Sequence, residues 1–300
     1  MPESVTHIRE TLELPYAEVR GDRLAFDRPD DAARALAIGA FFVKIPEHLD
    51  VRPGLELARN FYEPADPGRP GDRYRGHRAE EHADSKLGYS DRPDQVEQLQ
   101  LESAHWDTYL PAEVTTLLRE MEAITVATLY GVFEAAGLPE SDWEIITGGA
   151  REGTGWCHST VNHYRASLSG RAGIVHHTDS GFITLLYADQ PGLEVQVEGG
   201  RWLPVDVKER HFIVNLGDGL DILTRRLPRP VTAVIHRVPE SSPDQRPDGD
   251  RSSFTVFIGP RYDMPLYQYD ADQVLGEYQG FRDFSVDKAK KLGYEFHPRL

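Results

Sequence analysis

Apolar positions recur along this chain with two different periods. Val114, Leu117, Leu118, Met121, Ile124, Thr125, Leu129, Val132 and Phe133 return every three or four residues, which lines them along one face of a helix. Pro111 opens that helix and Gly137 closes it, as suits a first turn and a left-handed stop. A shorter helix is predicted over residues 31–37, capped by Asp30 and ended by Gly39. Residues 40–45 then read as a short buried strand. From about residue 158 the texture changes to short runs at 174–175, 182–187, 193–197, 212–216, 231–235 and 254–258. Turn residues separate them: Ser180-Gly181, Pro191-Gly192, Gly199-Gly200 and Gly217-Asp218-Gly219. Successive short strands with such turns predict a jelly roll.

Between residues 63 and 105 the pattern is polar, rich in Arg, Asp, Glu, Gly and Pro, and predicts a long loop region that rims or covers a site. The segment from Tyr262 to Leu300 reads as partly helical and packed back on the strands. The fold expected is α+β with a mainly β core, a double-stranded β-helix with flanking helices. Residues 1–110 form a mixed region packing on a helix-backed core over 111–300, one catalytic unit in all.

Charge narrows the partners. The chain carries 33 Lys and Arg against 49 Asp and Glu, a net charge of −16. A broad nucleic-acid interface must neutralise phosphates, and an anionic membrane attracts basic segments, so both are excluded as bulk partners. The single cysteine, Cys157, permits no internal disulfide and fits a reducing compartment. It is read as structural. The first fourteen residues mix charges of both signs without an apolar run, unlike a signal peptide. A cytoplasmic location is expected.

The β-rich half carries the chemistry. His177 and Asp179 fall on one face of a strand, while His176 and Thr178 fall on the other. His236 lies on a separate predicted strand. Two imidazoles and one carboxylate can occupy one face of a metal and leave three positions open, which suits non-haem Fe(II). The helical His-Glu-x-x-His of zinc hydrolases is absent. Arg251 and Ser253 also share a strand face, opposite Phe254, Val256 and Ile258. Together they offer a guanidinium fork and a hydroxyl to a carboxylate.

Several further stretches stand in a telling order: Gly39-Ala40-Phe41-Phe42-Val43, Asn162-His163-Tyr164, His177-Thr178-Asp179, Phe182 to Leu186, Gly192 to Gln196, Trp202 to Val205, Asn215-Leu216-Gly217-Asp218, His236-Arg237-Val238 and Arg251-Ser252-Ser253. In this the chain resembles the Fe(II)/2-oxoglutarate-dependent dioxygenases of the isopenicillin N synthase-like branch. The likeness is strongest from about 160 to 260. It departs at Thr224-Arg225-Arg226, where the family often has Thr-Asn-Gly, and at residues 240–250, a longer stretch read as an exposed loop.

The resemblance implies that His177, Asp179 and His236 bind Fe(II). It implies that Arg251 and Ser253 bind the distal carboxylate of 2-oxoglutarate with help from Tyr164, and that Asn162 sits near that site or orients a substrate. With O₂ as the second cosubstrate, the implied reaction oxidises an unactivated C–H bond of a small molecule and releases succinate and CO₂. Hydroxylation is the default, with desaturation or cyclisation as variants, and natural-product biosynthesis is the expected setting. The retained Asp179 argues against halogenation, since related halogenases place a halide there. Two alternatives stay open: an Fe(II) oxidase that needs no 2-oxoglutarate, as isopenicillin N synthase does, and a non-catalytic jelly-roll binding protein. Substrate contacts are not legible; Arg75, Tyr89 and Trp106 are candidates that read more naturally as surface or packing residues.

Overall fold

Asp31–Ile38 forms helix α1 between the hairpin β1 (Tyr16–Arg20) and β2 (Arg23–Phe26) and the buried strand β3 (Ala40–Lys44). In this computed structural model the described residues are 10–69, 71–78, 88–168, 170–241 and 249–292. Asp30 precedes α1 as expected, but its side chain makes no capping bond. The stop is Gly39, with φ at +79°, whose N–H donates to Ala35 O at 2.9 Å. A Cβ there would lie 2.4 Å from Thr232 O. Gly39→Ala therefore meets a left-handed backbone and a backbone clash at once, and is expected to cost about 2–4 kcal/mol. Urea unfolding checks this; a loss below about 0.5 kcal/mol would show that the turn relaxes freely.

Helix α2 (Arg52–Asn60) is followed by the first departure from the sequence reading. The polar stretch 63–105 is not all loop: it contains β4 (Tyr89–Asp91) and β5 (Val96–Glu102). Strand β5 escapes the apolar pattern because polar residues are buried on both of its faces. Leu99 and Leu101 enter the main core, while Glu97, on their side, and Gln98, on the other, are buried as well. Next come α3 (Trp106–Tyr109), the long helix α4 (Ala112–Ala136), closed by Gly137 in the left-handed region, and α5 (Trp143–Thr147).

The strand series is β6 (Trp156–Tyr164), β7 (Ile174–His177), β8 (Ile183–Ala188), β9 (Glu194–Gln196), β10 (Trp202–Pro204) and β11 (His211–Leu216). Helix α6 (Asp218–Thr224), β12 (His236–Val238), β13 (Arg251–Gly259), the hairpin β14 (Pro265–Tyr269) and β15 (Leu275–Gly280), and α7 (Phe281–Leu292) complete it. The apolar run 231–235 is not a strand, and the ladder begins only at His236. Its backbone is spent elsewhere: Thr232 N–H donates to Leu36 O and Val234 N–H to Leu216 O. Beyond Tyr262, a hairpin precedes the helix expected there.

The large sheet runs β2-β1-β3-β11-β8-β13-β6-β5-β4 and the small one β10-β9-β12-β7. Strands from both sides of residue 110 share the large sheet. Helix α4 lies against β2, β8 and β13, and α2 against β6 and β13. This helical layer takes one face of the large sheet, where Phe254, Val256 and Ile258 join Leu117, Met121 and Leu129 in one core. Side chains alternate along β13, so Arg251, Ser253, Thr255 and Phe257 fall on the opposite face. The helices thus leave that face for a site.

Candidate active site

A cavity of about 200 Å³ is walled by both sheets. The large sheet contributes Gln98 and Gln100 from β5, Trp156, His158, Thr160, Asn162 and Tyr164 from β6, and Arg251, Thr255 and Phe257 from β13. The small sheet contributes His177 and His236, with Asp179 just past the end of β7.

The register of β7 and β12 sets His177 directly opposite His236. Their ring centroids are 4.4 Å apart. Asp179 Oδ1 lies 3.7 Å from His177 Nε2 and 3.8 Å from His236 Nε2. Each imidazole is oriented from behind: His177 Nδ1 donates to Val175 O at 2.9 Å and His236 Nδ1 to Val234 O at 3.1 Å. A carbonyl can only accept, so the proton sits on Nδ1 and the Nε2 lone pair faces Asp179. Thr184 Oγ1 donates to Asp179 Oδ2 at 2.5 Å and leaves Oδ1 for the shared centre. Burial, then the neighbouring His236, lowers His177 to about 3, so it stays neutral. Burial alone would raise Asp179, but His236, His177 and the Thr184 hydroxyl outweigh it and hold the carboxyl below its ordinary range. One carboxylate and two imidazoles, with ligand atoms all within 4.8 Å of one another, fit a divalent transition-metal ion.

Residues that no short motif announces brace this set. Lys288 of α7 donates to Thr178 O at 2.7 Å and to Thr178 Oγ1 at 2.8 Å, and it pairs with Asp218. The Asp218 N–H donates to Asp179 O at 2.8 Å. Thr178, between the two ligands, is thereby fixed from outside the cavity. His176 is exposed and lies beside Trp202, away from the metal set, as its strand phase requires.

Across the cavity Arg251 is 1% exposed. Its Nε donates to Gln190 O at 3.1 Å, its guanidinium carbon lies 4.7 Å over the Tyr164 ring, and its buried Nη1 has no hydrogen-bond partner. A buried guanidinium with an unused donor is costly unless an anion meets it, so this end fits a carboxylate. Ser253 is fully buried beside it, and its Oγ accepts from Asn162 Nδ2 at 3.1 Å. Asn162 Oδ1 accepts in turn from Gln98 Nε2 at 2.7 Å. Asn162 therefore orients Ser253.

Arg75, Tyr89 and Trp106 are absent from the cavity wall: Arg75 pairs with Asp72, Tyr89 donates to Glu97 and Trp106 to Leu101 O. From the polar stretch, Arg92, Gln98 and Gln100 line the cavity instead. Of the loop 240–250, residues 242–248 lie outside the described residues, and Ser241 is buried.

Behind β6, on the helical side, sits a second polar cluster. His163 Nδ1 is hydrogen-bonded to Glu97 Oε1 at 2.8 Å and Nε2 to Asp250 Oδ2 at 3.0 Å, and its ring stacks on Tyr62 at 3.8 Å. Burial alone would raise Glu97, but hydrogen bonds from His163, Tyr89 and Arg78 outweigh it and lower the carboxyl to about 2. The folded state thus holds this proton less tightly than the unfolded state, whose ordinary value is 4.5. The stability it contributes is complete above that value and is lost as pH falls toward about 2. Thermal unfolding across that window should decline more steeply for the wild type than for Glu97→Gln; parallel declines would contradict the assignment.

Comparison with known proteins agrees with this layout. Residues 156–260 match the model of the 2OG-Fe(II) oxygenase superfamily, a span that holds both the metal set and Arg251. Gibberellin 2-beta-dioxygenase 8 of Arabidopsis thaliana is 29% identical over 144 residues, 46% of this chain and 40% of that protein. The chain spans less than half the length of the curated relatives it matches. A crystal structure of the rice dioxygenase for auxin oxidation shares the fold at a TM-score of 0.67 and 21% identity, covering 94% of this chain and 97% of that one. A structure of JOX2 in complex with 2OG, Fe and JA does so at 0.66 and 19%, covering 93% and 86%. The convergent metal set and Arg251 thus lie together within the segment that matches the 2OG-Fe(II) oxygenase superfamily model.

Proposed function

We propose that this protein is an Fe(II)- and 2-oxoglutarate-dependent oxygenase that oxidises an unactivated C–H bond of a small-molecule metabolite, with hydroxylation as the default outcome. One observation carries the reading: a single cavity holds two separate binding devices, the His177–Asp179–His236 set and the buried, under-satisfied Arg251. The first would hold Fe(II). The second, with Ser253, would hold the far carboxylate of 2-oxoglutarate, for which the planar guanidinium fork suits better than an ammonium.

Bound iron supplies the redox chemistry that no side chain has, coupling O₂ reduction to decarboxylation of 2-oxoglutarate to succinate and CO₂. The chain supplies order. His177 and His236 present fixed lone pairs because their Nδ1 protons are committed to backbone carbonyls. Tyr164 supports the Arg251 plane, and the line Gln98–Asn162–Ser253 fixes the hydroxyl beside it. Leu186, Leu193, Val238 and Phe257 line the cavity and favour exclusion of water. The relatives' own names, which speak of gibberellin and of auxin oxidation, support a small-molecule substrate. The net charge of −16 supports a role without nucleic acid. Among the described residues no helix is long and apolar enough to cross a membrane.

Oxygen uptake by the iron-loaded protein, with and without 2-oxoglutarate, tests the reading. Uptake should require 2-oxoglutarate and yield succinate. Full turnover without it, and no succinate, would assign the protein to the oxidase alternative.

A further inference from the structure

The inner row of β6 changes character along its length. Asn162 and Thr160 have protein partners: Asn162 is held by Gln98 and Ser253, and Thr160 Oγ1 accepts from Gln100. Toward the other end, His158 stacks on Phe257 at 4.5 Å and 6° and on Trp156 at 4.4 Å and 29°. These three rings line the cavity, and His158 is 8% exposed. Here the polar atoms go unused: His158 Nδ1 and Trp156 Nε1 are both buried without a hydrogen-bond partner. Buried polar groups are rarely left this way, because an unmade bond forfeits the desolvation already incurred. Burial also lowers His158 to about 3, so its ring is neutral and stacks as an uncharged aromatic.

The ladder's position gives it a task. Phe257 is the register partner of Thr184, whose hydroxyl holds Asp179, so the rings lie one strand from the metal set. Arg251 lies six residues back along β13, about 20 Å at the usual rise per residue. The cavity therefore has an anion-binding end at Arg251 and an aromatic end beside the metal ligands. An indole N–H can only donate, and a neutral imidazole offers one donor and one acceptor. The natural match is a flat molecule that packs against an end of the ring ladder and presents an oxygen acceptor.

We infer that the aromatic end is the substrate subsite, that Trp156 and His158 recognise the substrate there, and that the substrate is a planar, conjugated molecule bearing a carbonyl or carboxylate oxygen. The role as substrate site rests on the oxygenase reading; the binding preference does not.

Calorimetric titration of the Mn(II)-loaded protein saturated with 2-oxoglutarate tests it, because the Arg251 end is then filled. The probes are benzoate, cyclohexanecarboxylate, which keeps the carboxylate on a saturated ring, and benzylamine, which keeps the ring but carries a cation. Benzoate should bind at least ten times tighter than either. Trp156→Phe should weaken it about tenfold, since the ring remains and only the N–H is lost, with 2-oxoglutarate affinity unchanged. His158→Phe should weaken it as well. Equal binding of the three probes, no benzoate binding at millimolar concentration, or indifference to both substitutions would overturn the inference. If Mn(II) and 2-oxoglutarate themselves fail to bind, the oxygenase reading falls. The same benzoate titrations in the metal-free protein then still decide whether the aromatic subsite exists.

Discussion

Asp179→Ala should leave the protein folded but unable to retain iron. Asp179 Oδ1 is the atom that both His177 Nε2 and His236 Nε2 face, and it brings the only negative charge of the set. Without it two imidazoles remain, and neutral nitrogen ligands alone leave the charge of a divalent ion uncompensated. An affinity loss of at least about 100-fold is expected, since disturbing only the groups that orient such ligands already costs ~10–100-fold. His177→Ala and His236→Ala should behave alike, because each removes one lone pair from the same centre. The measurement is iron content and affinity after anaerobic reconstitution, with thermal unfolding as the control for folding. Unchanged iron binding in these variants would make the cluster structural and leave a non-catalytic jelly roll as the better description.

Arg251→Ala should separate the two binding devices. The guanidinium is buried, and its free Nη1 is the donor that a dicarboxylate would meet. A charge-assisted hydrogen bond is worth about 1.5–3 kcal/mol, and a fork makes two in parallel. The concentration of 2-oxoglutarate needed for half-saturation should therefore rise by roughly 100-fold or more, with iron affinity spared. Arg251→Lys should fall between the two, since it keeps the charge and loses the planar fork. Titration of 2-oxoglutarate into the metal-loaded variants reads this directly. Loss of iron in Arg251→Ala, with 2-oxoglutarate affinity preserved in whatever metal remains, would mean that Arg251 belongs to the metal site.

What the sequence revealed and what it concealed have one physical cause. His177 and Asp179 are legible because two-residue spacing on an extended chain is a statement about faces, and the same holds for Arg251 and Ser253. Helix α4 is legible because its buried residues repeat and its end is a glycine. Strands β5 and β6 are much less so. Their cavity-facing row includes Gln98, Gln100, His158, Thr160 and Asn162, and their other face buries Glu97 and His163. Where a sheet lines a polar cavity, burial and hydropathy part company, and β5 reads as loop. The run 231–235 fails in the opposite sense: its side chains are apolar, but its N–H groups serve Leu36 and Leu216 instead of a ladder. Lys288 stands 110 residues from Thr178, and no local pattern links them. The same polarity in β6 marks it as the wall on which Trp156 and His158 stand.

A crystal structure of the protein with Mn(II) and 2-oxoglutarate, grown without oxygen, tests the account most directly. It should show one metal ion bound by His177 Nε2, Asp179 Oδ1 and His236 Nε2. One end of 2-oxoglutarate should lie on that metal and its far carboxylate on the Arg251 fork, with Ser253 Oγ beside it. A metal bound elsewhere, or a 2-oxoglutarate whose far carboxylate rests on any side chain but Arg251, would contradict it.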